Sequence, residues 1–107
     1  MAQRDRMELD NGMQLRLLSA LEVLQARREA GELAGDERER ALCSNACLLA
    51  RALVHEGEPV FESGQAVLAG LTVAEIAALS GQWREFDRRE NPALNLDQQE
   101  LEKVKKN

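Results

Sequence analysis

Three helix starts are written into this chain by the same local chemistry. Ser19-Ala20-Leu21-Glu22, Asp36 with Glu39, and Thr72 with Glu75 each set a capping oxygen three residues ahead of a glutamate. The cap takes an orphan amide of the first turn and the glutamate can return to the cap's own amide. Behind the second start, Leu42, Ala46, Leu49 and Leu53 fall at i, i+4, i+7 and i+11, flanked by Cys43, Cys47, Ala50 and Val54. So wide an apolar stripe belongs to a central, largely buried helix.

These starts and the stop signals between them predict helices over 19–30, 36–56, 63–69 and 72–90. The first turns Leu21, Leu24 and Val23 inward and stops by Gly31; the second ends at Gly57, with Pro59 behind it. Val60 and Phe61 anchor the connection onto the core, and Ser63 caps the short third helix, which Gly70 ends. In the fourth, Ile76, Leu79, Trp83 and Phe86 recur at i, i+3, i+7 and i+10 until Asn91-Pro92, a pair that disfavours further helix.

The two ends are less regular. Residues 1–18 form a polar arm or a hairpin: Asp10-Asn11-Gly12 is a tight-turn sequence, and Met13, Leu15 and Leu17 alternate with polar neighbours, with Leu9 on the opposite arm. The competing reading begins a helix at Met13 and runs it through Leu18. Residues 93–107 form a C-terminal tail, either a short helix capped by Asn95 or Asp97 or a disordered segment. The fold class is therefore predominantly α, one small domain over 1–92 of three to four helices with an optional short N-terminal β-hairpin.

Composition fits a thin helical core. Leu, Ile, Val and Phe total 26 of 107 residues, above the roughly 20% floor for folded chains, and fifteen Ala and seventeen Leu stand against only six Val and one Ile, which favours helix over sheet. A net charge of −5, with no block of Lys and Arg, argues against nucleic acid. No apolar run reaches the roughly 18 residues of a membrane span, and the first residues carry neither a signal nor a transit composition. A cytoplasmic protein is expected.

Reactive groups are few. Cys43 and Cys47 share one helix face, a poor geometry for a disulfide, and read as buried reduced thiols. The single His55 lies outside zinc spacings and is placed at the end of the second helix, against its last carbonyls. Glu56, Glu58 and Glu62 read as solvated surface. With one His, no Tyr and no glycine-rich phosphate loop, no catalytic residue, metal site or cofactor is expected. Leu71 to Gly81 resembles the first helix and turn of a helix-turn-helix reader, but Asp87 and Glu90 stand where its second helix needs apolar residues.

Trp83 and Phe86 have two readings that can coexist on one helix. They are core in a chain with few other large side chains, or they join Arg84, Arg88 and Arg89 in a contact for another protein, since Trp and Arg are favoured interface anchors.

The segments LLSALEVLQARREAG, LLARALVHEGEPVF and LAGLTVAEIAALSGQWREFDRRENP, in that order, with Trp83-x-x-Phe86-Asp87-Arg88 ahead of Asn91-Pro92, resemble the small tail assembly chaperones of long-tailed bacteriophages and prophages. The similarity covers about residues 15–92 and includes no catalytic signature. It implies a non-enzymatic helper in the bacterial host cytoplasm that coats the tape measure protein and recruits tail tube subunits. The exposed side of the 72–90 helix, together with the 93–107 tail, is expected to meet the tape measure protein or a sister copy. In that family a longer product often arises by frameshifting near the end of the short one, and Lys105-Lys106 is compatible with a slippery stretch. A generic helical adaptor for a single partner is the alternative; a helix-turn-helix regulator ranks below it.

Overall fold

The computed structural model describes residues 6–90. The tail predicted at 93–107, the Asn91-Pro92 stop and the first five residues of the polar arm lie outside the described residues.

The hairpin reading of the arm holds. Strands β1 (Arg6–Glu8) and β2 (Met13–Arg16) pair antiparallel with Met7 opposite Leu15. Asn11 and Gly12 make the reversal with φ of 71° and 77°, conformations that Asn and Gly tolerate best. Leu9 is not a strand residue; its amide donates to the Met13 carbonyl at 2.8 Å inside the loop.

Helix α1 spans Ala20–Leu33 and opens on the predicted capping box: the Glu22 amide donates to Ser19 Oγ at 3.1 Å and the Ser19 amide to Glu22 Oε1 at 2.9 Å. It runs through Gly31, past the predicted end at 30. Its inward face also differs from expectation. Ala26 and Ala30 are buried, Val23 is half-buried, and Leu21 and Leu24 are 60% and 47% exposed. The reason is the seam with α2 (Glu37–Ala52), where Ala26 and Ala30 meet Cys43 and Cys47. Two helices that approach on small side chains leave no room for leucines between them.

At its start α2 uses Asp36, whose Oδ1 accepts from the Glu39 amide at 3.1 Å, while Glu39 bonds the Gly35 amide instead of closing the box on Asp36. At its end the predicted helix 36–56 is cut short. Ala52 is followed at once by strand β3 (Leu53–His55), which pairs antiparallel with β2, Leu53 opposite Leu15 and Val54 opposite Gln14. His55 is therefore an exposed strand residue beside Gly12, not a helix terminus. Glu56 and Gly57, at φ 52° and 85°, turn the chain into β4 (Glu58–Pro59). Positive φ at both central residues defines a type I′ hairpin turn. Gly57 thus closes a hairpin rather than a helix, and Pro59 sits on an edge strand, where its missing N–H costs no ladder bond.

Helix α3 (Gly64–Gly70) is capped by Ser63, and α4 (Val73–Glu90) opens on the Thr72–Glu75 box, with bonds of 2.8 and 3.1 Å. The described residues thus form a mostly helical fold of four α-helices with a four-stranded antiparallel sheet, order β1-β2-β3-β4. The sheet is larger than the predicted hairpin because β3 and β4 extend it. The main core joins Leu15 and Leu53 of the sheet to Leu49 of α2, Val67 of α3, and Ile76 and Trp83 of α4. Among the described residues no helix is long and apolar enough to cross a membrane.

Candidate protein-interaction surface

Helix α4 sorts the five predicted contact residues by its own geometry. Phe86 is fully buried and Trp83 is 6% exposed, so the core reading of both holds and Phe86 offers a partner nothing. Trp83 also fixes the helix to the sheet: its indole Nε1–H donates to the Arg16 carbonyl at the end of β2, at 2.8 Å. Such a bond satisfies the polar edge of a ring that is otherwise packed in apolar surroundings.

The three arginines are exposed and do not form one patch. Arg84 reaches across to α2 and donates to Asn45 Oδ1 at 2.7 Å, Arg88 pairs with Glu85 one turn back, and Arg89 points the other way, with its Nη2 at 3.8 Å from Met7 Sδ in β1. At 100° per residue Arg84 and Arg88 share one flank of α4 and Arg89 the opposite flank.

Beside the Arg84 flank lies a groove that sequence reasoning did not find. Helices α1 and α4 each pack on α2 and make little contact with one another. The gap between them holds two adjoining hollows of about 320 and 340 Å³ that share Val23, Arg27, Trp83 and Asp87. Leu48 and Ser44 of α2 line one hollow, and Leu18, Ala20 and Leu24 the other. Leu21, one turn before Leu24 on α1, is also exposed. The signal was present in Leu21 and Leu24, but a large apolar residue on a capped helix is ordinarily assigned to the core.

A further hollow, about 390 Å³, lies near Phe61, lined by Glu29, Arg51 and Val54 among others. Three of its charges, Arg16, Glu29 and Arg51, are held in ion pairs. Glu29 accepts from Arg51 Nη1 and from the Gly64 amide, both at 2.8 Å, and so ties α1 to α2 and to the start of α3. Burial pushes the Glu29 carboxyl up, but Arg51 and the Gly64 amide outweigh it and leave it below its ordinary value. At the start of α1, the Arg16 guanidinium holds Glu22 low against the opposing pull of burial.

The free thiols of Cys43 and Cys47 are buried in the α1–α2 seam. Burial first, and the Glu29 charge second, push Cys47 up to about 12; burial raises Cys43 as well. Neither is a thiolate nucleophile at neutral pH. Among the described residues no three His, Cys, Asp or Glu side chains cluster as cation ligands would.

No protein-family model, curated protein or solved structure matches this chain.

The helix-turn-helix likeness dissolves in the geometry. Helix α4 continues without a break from Val73 to Glu90, through Ser80 and Gly81, so the motif's turn is a turn of helix. The arrangement offers a mixed apolar and charged groove beside an arginine-bearing helix.

Proposed function

We propose that this chain is a non-enzymatic tail assembly chaperone of the bacteriophage type, which holds the tape measure protein and helps to recruit tail tube subunits in the host cytoplasm. The observation that supports this reading is the α1–α4 surface, where exposed Leu21 and Leu24 adjoin a groove edged by Trp83 and Arg84. A helper for a long helical client needs short apolar strips on a soluble, acidic body, so that many weak contacts add by multivalency. The resemblance over residues 15–92 supports the same assignment.

Charge reversal separates the two flanks of α4. Arg84→Glu with Arg88→Glu should abolish co-purification with the tape measure protein, and Arg89→Glu should spare it, with far-UV circular dichroism unchanged in both. Retention of the client by the double variant would reject this surface. Several copies per client are expected; one copy per client would fit the helical adaptor.

A further inference from the structure

We infer that two copies of this chain join edge to edge along β1, in an antiparallel pair centred on Met7 that sets Arg6 of each copy opposite Glu8 of the other. This goes beyond the chaperone reading and does not depend on it, because none of the residues that line the α1–α4 groove belongs to β1.

Backbone geometry leaves one edge of the sheet open. In an antiparallel ladder, residues bonded to one neighbour alternate with residues whose N–H and C=O face the other way. The Leu9 amide donates to the Met13 carbonyl at 2.8 Å and the Val60 amide to the Leu53 carbonyl at 3.2 Å, which fixes that alternation at both ends of the sheet. At the β4 edge the outward position falls on Pro59, which has no N–H to offer. At the β1 edge Met7 falls in the bonded pair with Leu15, so Arg6 and Glu8 turn their N–H and C=O groups outward. Strand β1 stands first in the sheet order and has no strand on that side among the described residues. Free peptide groups in such a row are a template for another strand.

Charge identifies that strand. Arg6 stands directly opposite Arg16 on β2, a like-charge pair that disfavours the hairpin, and Arg16 is already paired with Glu22. Among the described residues Arg6 has no carboxylate partner. Glu8, two residues on, is exposed on the same face of the strand. A strand suited to this edge therefore sets a carboxylate against Arg6 and a cation against Glu8. Arg6-Met7-Glu8 is its own complement when run antiparallel: a two-fold axis at Met7 brings Arg6 against the partner's Glu8 twice, with two main-chain hydrogen bonds at each pair. A contact of this kind closes on itself, and Pro59 keeps the opposite edge from extending the sheet.

Sedimentation of the full-length protein tests the seam. The wild type should run as a dimer that dissociates on dilution and at high ionic strength; a monomer across the micromolar range overturns the proposal. Arg6→Glu and Glu8→Arg each set like charges face to face, and each should be monomeric. Their equimolar mixture restores opposite charges at both pairs and should return a dimer made of one chain of each. Single variants that stay dimeric, or a mixture that stays monomeric, overturn the seam. Hydrogen exchange in the wild type needs no variant: the Arg6 and Glu8 amides, open to solvent in a lone copy, should be protected in the dimer and lose that protection on dilution. Exchange at those two amides that ignores concentration counts against it.

Discussion

Trp83 is the residue on which the two halves of the fold meet. Its ring packs with Leu15, Leu49 and Ile76 and its N–H closes on the Arg16 carbonyl, so it contributes both volume and a specific bond. Trp83→Ala should cost about 3–5 kcal/mol through the cavity it leaves. Trp83→Phe, which keeps a ring but loses the donor, should cost about 1–3 kcal/mol. Urea denaturation followed by circular dichroism checks both, and a cost below about 1 kcal/mol for the alanine variant would mean the ring is not packed as described. Gly64 shows the same intolerance in a smaller space: a Cβ there would stand 3.0 Å from Cys47 Cα, so the start of α3 can lie on α2 only with glycine at that position.

At the level of elements, the turn between β3 and β4 holds a residue ill suited to it. Glu56 takes φ 52°, a left-handed conformation that costs a non-glycine residue about 1 kcal/mol and that Asn accepts more readily. Glu56→Asn should therefore stabilise the protein by about 0.5–1 kcal/mol, a rise of roughly 3–6 °C in melting temperature for a domain of this size; an unchanged or lower value would speak against a type I′ turn. Helix starts were legible in the sequence because a cap acts over three residues: Ser19, Asp36, Ser63 and Thr72 all bond the amides assigned to them. The end of α2 was not. Leu53 and Val54 continue a helical stripe as well as they fill a buried strand, and what decides is pairing with Leu15 and Gln14, some 40 positions earlier. The inner face of α1 was hidden for a related reason, since size alone favours Leu21 and Leu24 and only the closeness of α2 selects Ala26 and Ala30. Of the candidate surface, the exposure of Arg84, Arg88 and Arg89 could be read from helical spacing. The groove could not, because it exists only in the relative placement of α1 and α4.

In the whole molecule, α2 is the shared neighbour of the other three helices and also the approach to the sheet. Its final turn becomes β3 with no intervening loop, and the Leu53 amide still bonds the Leu49 carbonyl while Leu53 already faces Leu15 across the ladder. A junction without slack joins the two halves mechanically: the central rod cannot roll or slide without dragging the ribbon that grows from it. Amides of Ala46–Ala52 and of Leu53–Val54 should accordingly exchange with deuterium at one common opening free energy, the global one, and a strand that exchanged well ahead of the helix would contradict it. Anything gripped along α4 would then press on a body that answers as one piece.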